Sequence, residues 1–335
     1  MWLVDESQES FENLLNAVSN GDTKKVDKIL DNVEKGFMID ERDTDGQTLL
    51  HLAVMKNPAA KIGKHQLLQR RSNVKNVAAM AKIFLKNKKN IDAQIKAIPS
   101  AERCNMIKML IENGANVNSK DKNGLTPLHI AVKDNEIDLA KILLHHGADI
   151  EAKSKYAHTP LTLAVEADLI DMTIVLIENG ANVNTDSRDR TPIFRAVELN
   201  LVAMTKLLIQ NGADVDVLNH WGHPPLIGAL FNHKDPKYTH KKEIFQILVE
   251  NSTIINSKTP QRDLLLRLVI ELQAIESLKI LVANGLSIAT KIIAYDLTLL
   301  EYALRECPTD DFGMIHPFIK PFMFYVHALM LSSNP

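Results

Sequence analysis

Residues 121–153 read DKNGLTPLHIAVKDNEIDLAKILLHHGADIEAK, and each part of that stretch has a physical assignment. Asp121 to Gly124 is a run of turn formers, placed to make a hairpin tip. Thr126 stands where a side-chain oxygen caps a helix, and Pro127 follows at the first helical position, where its missing N–H leaves no bond unmade. Leu128, Ile130 and Ala131 give this first helix an apolar side, the small Ala131 admitting a close neighbour. Ile137, Leu139, Ile142, Leu143 and Leu144 make the apolar stripe of a second helix. Gly147 ends it in the left-handed conformation that glycine adopts at little cost. The stretch predicts two short helices and an outward tip, a unit that buries its apolar face only by stacking on copies of itself.

The copies are present. Gly-Ala pairs fall at 114, 147, 180 and 212, and Thr-Pro pairs at 126, 159 and 191, with spacings of 33 or 32 residues in both series. Two independent markers keep one period at a fixed offset, which chance does not produce. The T-P-L-H-x-A and G-A-D segments resemble the ankyrin repeat. That resemblance implies an all-α ankyrin-repeat solenoid, helix-turn-helix repeats with β-hairpin or loop tips, of about eight or nine repeats including degenerate caps. It also implies that His129 hydrogen-bonds back to Thr126, so that His129 and its counterpart His51 are structural and not catalytic bases.

Away from 119–218 the pattern is less regular. Residues 1–42 read as an N-terminal cap repeat and 43–118 as irregular repeats with a basic insertion; 219–290 are irregular repeats and 291–335 a C-terminal cap, all within one domain. The repeat opening at Asp43 keeps Thr48 and His51 but has Leu49 for proline. Ala81 to Asn87 copies the second-helix pattern, so the intervening Lys56 to Val74 reads as a swollen loop, with a shortened repeat then ending at Gly114. The 219 repeat carries extra residues near Lys234 to His240.

Composition excludes several classes. Hydrophobic content of 45% with 24% charge is that of a folded chain, and only 5% aromatic residues suits many small aliphatic helix contacts. The N-terminus has no basic or apolar signal region, and the Pro317–Leu331 stretch falls short of the roughly 20 apolar residues of a membrane span. Cys104 and Cys307 lie far apart without ligand-spaced companions and read as reduced thiols. These features predict a cytoplasmic, monomeric protein, with the nucleus, or a host cytosol for a delivered effector, as the alternative compartments. No nucleophile motif, phosphate loop or metal-ligand pattern occurs, so an enzyme and a cofactor are not expected. The local group His220, His223, His233 and His240 lacks acidic or Cys companions at ligand spacing and is read as no metal site.

What remains is binding. The resemblance implies a non-enzymatic scaffold, an adaptor or inhibitor, that grips a protein along a concave face of tips and first helices. The family's variable contact positions fall on Lys122 and Asn123, on Lys155, Tyr156 and His158, on Arg188 and Arg190, and on His220, Trp221, His223 and Phe231. Tyr156, Arg188 and Trp221 are of the types that dominate interface energetics. The alternative role is a host-targeted effector or the targeting array of a larger enzyme or complex. A second alternative rests on residues 56–108, which carry a charge of +11 and leave −13 on the remainder. Arg70, Arg71, Lys75, Lys82, Lys86, Lys88 and Lys89 form that patch, which suits an anionic ligand or nucleic acid, although no nucleic-acid motif interleaves it. Finally, the resemblance makes Asn118 and Asn184, in G-A-N-V-N segments, candidate substrates for asparaginyl hydroxylation.

Overall fold

The computed structural model describes residues 13–14, 16–18, 20–30, 40, 42, 45–55, 100–185, 191–230, 239–272, 274–286, 291–292, 297–298 and 301; side chains at 29–30, 239–241, 291–292 and 297–298 are not characterised. The chain divides into two compact units, 1–181 and 182–335.

The first unit contains α1 (Thr23–Leu30), α2 (Leu49–Val54), α3 (Ser100–Glu112), α4 (Pro127–Lys133), α5 (Ile137–His145), α6 (Pro160–Glu166) and α7 (Ile170–Glu178). Packing sorts these into two rows. First helices α2, α4 and α6 pack in sequence, as do second helices α1, α3, α5 and α7, and each first helix packs on the second helix of its own repeat. The second unit repeats this scheme with α8 (Pro192–Glu198), α9 (Val202–Gln210), α10 (Pro225–Leu230), α11 (Thr239–Asn251), α12 (Pro260–Glu271) and α13 (Ile275–Ala283). Between α11 and α12 lies a single 3-10 turn, Ile254–Asn256. A two-residue antiparallel pair, β1 (Lys291–Ile292) with β2 (Leu297–Thr298), follows α13.

The rows form because each first helix is apolar nearly all round. Leu128, Ala131 and Val132 of α4 are fully buried, and Leu139, Ala140 and Leu143 of α5 are buried against them and their neighbours. In the second unit, Leu226, Phe245, Leu248, Leu265, Leu266 and Leu278 belong to one continuous core. The helix starts follow the sequence expectation. Thr126 lies in extended backbone, its hydroxyl accepts the His129 N–H, and Pro127 occupies the first turn. Gly114, Gly147, Gly180 and Gly212 end the second helices at φ of 83 to 95°, the positive region that glycine favours.

Polar clips tie one repeat to the next. Asn118 Nδ2 donates to the Gly147 carbonyl at 3.1 Å, and its Oδ1 accepts the Asp149 N–H at 2.7 Å. Asn184 makes the same two bonds to Gly212 and Asp214. At the equivalent place Asp216 accepts from Ser252 Oγ and from the Thr253 N–H and hydroxyl, so a Ser-Thr pair replaces the Gly-Ala of the other repeats. Both candidate hydroxylation residues therefore already hold the stack together through their side-chain amides.

Among the described residues the second helix that packs on α2 is α3, and Arg103 of α3 donates to the Val54 carbonyl at the end of α2 at 3.1 Å. The Ala81–Asn87 segment, to which the sequence reading gives that place, lies outside the described residues. The second helix of the 219 repeat begins at Thr239, so Thr239 and His240 are helical and not part of the extra loop.

Candidate functional site

The hairpin tips are built by backbone and short polar side chains. In the first unit Asp121 Oδ1 accepts the N–H groups of Asn123 and Leu125, both at 2.8 Å, which closes the tip around Gly124. Successive tips are joined backbone to backbone, Lys122 N–H to the Asp45 carbonyl at 2.9 Å and Lys155 N–H to the Asn123 carbonyl at 2.8 Å. That close approach explains Gly124: a Cβ there would lie 2.8 Å from the Lys155 nitrogen. The corresponding residue of the next tip is Ala157, held at φ 63°. A non-glycine residue in that region carries backbone strain, and it sits between Tyr156 and His158.

These tips bring several expected contact residues together. Lys122, Asn123, Lys155 and Tyr156 are exposed, Tyr156 to 67%. The Tyr156 ring lies 6.4 Å from that of His158, whose Nε2 is 3.9 Å from Glu166 Oε1. His158 is partly buried and also structural, since its carbonyl faces His129 Nε2 at 3.0 Å. In the second unit Asn219 Oδ1 accepts the N–H groups of Trp221 and His223, each at 3.0 Å, closing a tip around Gly222. Trp221 is 69% exposed, with the His220 ring 3.6 Å from its own; His223 is partly buried. Trp221 thus does not pack the irregular repeat. Arg188, Arg190 and Phe231 lie outside the described residues, as do Arg70, Arg71, Lys75, Lys82, Lys86, Lys88 and Lys89 of the basic patch.

The opposite, second-helix face differs in chemistry. In the second unit Lys206 pairs with Glu243 at 2.7 Å, and Glu276 takes Lys242 at 2.7 Å and Lys279 at 2.8 Å. Hydrogen bonds from those two ammonium groups hold the Glu276 carboxyl down at about 2. Sequence reasoning missed a further pair in the first unit, buried Arg103 with Glu136 at 2.7 Å. Its signal was faint: a lone arginine in an otherwise apolar helix stripe. The half-buried thiol of Cys104 is pushed up chiefly by desolvation, which makes it a poor nucleophile. Among the described residues no cluster of His, Cys, Asp and Glu could hold a metal ion, and no helix is long and apolar enough to cross a membrane.

In each unit, paired rows of short helices with hairpin tips between repeats define a class of stacked-repeat protein. A family model described as ankyrin repeats (3 copies) matches residues 59–154 and 152–219, so this part of the chain consists of ankyrin repeats. Over 34 residues, 10% of its length, it is 59% identical to a protein of Fowlpox virus (strain NVSL) that is named as an ankyrin repeat protein, and it covers 24% of that relative. Ankyrin repeats in general mediate protein–protein interaction.

Proposed function

We propose that this chain is a non-enzymatic scaffold that binds a partner protein through its hairpin tips and the adjoining ends of its first helices, as an adaptor or inhibitor. One observation carries the reading. Tyr156 and Trp221 occupy the same place in their respective tips, and each leaves about two thirds of its surface in water on a backbone held by several hydrogen bonds. Large aromatic side chains fixed in that way supply binding area with little ordering cost, and they dominate measured interface energetics. The strained Ala157 beside Tyr156 points the same way.

The test is affinity capture of a partner from the native cell by the wild-type chain and by Tyr156→Ala and Trp221→Ala variants. Each substitution is expected to weaken binding by about 2 kcal/mol or more at a true hot spot, with an unchanged melting temperature. Full retention of binding in both variants would move the site off the tips.

A further inference from the structure

The cations along the tip edge of the first unit fall into two groups. Arg42 and Lys120 are engaged: Arg42 Nη1 donates to the Gly46 and Lys120 carbonyls, and Lys120 Nζ donates to the Lys153 carbonyl at 3.2 Å. Lys122 and Lys155 are exposed and have no ion-pair partner among the described residues. The carboxylate closest to them in the turn is already committed, since Asp121 is buried and its Oδ1 accepts two backbone N–H groups. Tyr156 follows Lys155 directly and is the most exposed large apolar side chain among the described residues of this unit. Behind the second of these tips Glu166 Oε1 lies 3.9 Å from His158 Nε2.

The backbone ladder from Asp45 to Lys122 and from Asn123 to Lys155 fixes the spacing. Neighbouring tips are separated by one packed helix, about 10 Å. A chain in the extended polyproline II form advances about 3.1 Å per residue with three residues per turn, so every third residue returns to the same face about level with the next tip. We infer that the Lys122–Lys155–Tyr156 ridge binds an extended acidic protein segment whose carboxylates recur at every third residue, with an apolar side chain laid against Tyr156. This rests on the protein-binding reading above and names the chemistry of the partner.

The experiment uses the full chain and short fluorescein-labelled synthetic peptides at low salt. One peptide carries glutamate at every third position with leucine between. A second has the same composition with its glutamates contiguous, and a short oligodeoxythymidylate serves as a non-protein polyanion. Lys122→Glu with Lys155→Glu is expected to weaken the first peptide about tenfold, by replacing two attractions with two repulsions. Lys86→Glu with Lys88→Glu and Lys89→Glu, in the basic segment, is expected to leave it within about twofold. The contiguous peptide should bind more weakly than the spaced one. The inference is overturned if the Lys122/Lys155 variant binds like wild type, if the Lys86/Lys88/Lys89 variant loses as much, if the two peptides bind equally, or if oligodeoxythymidylate binding falls by the same factor. Partner capture that needs Tyr156 but survives both charge reversals would overturn this inference while leaving the protein-binding reading intact.

Discussion

His129 is fully buried and bonded at both ring nitrogens. The Thr126 N–H donates to Nδ1 at 3.2 Å, so the ring proton sits on Nε2 and is given to the His158 carbonyl at 3.0 Å. His51 makes the same bonds to Thr48 and to the Leu125 carbonyl. A protonated ring would set N–H against N–H at Thr126. Burial also lowers the His129 pKa below the ordinary 6.5, the bond to His158 opposing it only in part. The folded-state value is depressed, so its contribution to stability is whole above about pH 6.5 and is lost as pH falls below that. Thermal unfolding should therefore show a lower melting temperature at pH 5.5 than at pH 7.5, with part of that slope removed by His129→Gln. An identical slope in the variant would contradict this assignment. The Thr-Pro marker looks the same at 126, 159 and 191, but its chemistry does not carry through. His129 and Thr162 return a bond to the capping threonine, whereas Phe194 stands at that place in α8 and the Thr191 hydroxyl is buried without a partner. Thr126→Val is expected to cost about 1–2 kcal/mol of stability, whereas Thr191→Val should be neutral or slightly stabilising, because it removes an unsatisfied group at constant shape. Denaturant titration of the two variants distinguishes them. The threonine was legible in the sequence; whether it caps depended on the residue three places on.

Most helices could be read directly, because proline, the apolar period and glycine agree on where each begins and ends. The repeat opening before α2 was harder. Both Ala81–Asn87 and Ile107–Asn113 carry a second-helix pattern, and a sequence motif cannot say which one packs on α2. Among the described residues α3 packs there, through buried Met106, Ile107 and Leu110, and Arg103 joins it to both neighbours, the Val54 carbonyl of α2 and Glu136 before α5. The end of α2 and the start of α3 are therefore in direct contact within one repeat. The Asp216 clip was likewise hidden, since Ser252 and Thr253 do not match the Gly-Ala pair whose place they take.

Across the chain, both units use the same layering while their edges diverge. The second-helix face of the second unit neutralises its charges internally, and the tips leave Lys122, Lys155, Tyr156 and Trp221 open. A stack whose units touch only their neighbours tolerates such divergence, because a tip side chain changes without disturbing the buried rows. The repeat framework was therefore legible from its spacing, whereas the binding surface depends on exposure, which a sequence does not display. Tyr156 and Trp221 differ from a buried aromatic only by what surrounds them. Lysine-directed crosslinking of the native complex, read by mass spectrometry, tests the tip surface most directly. Crosslinks from the partner should concentrate on Lys122 and Lys155, with Tyr156 and Trp221 protected from surface labelling. Crosslinks confined to Lys141, Lys206 and Lys242 on the second-helix face, or to residues 56–108, would contradict it.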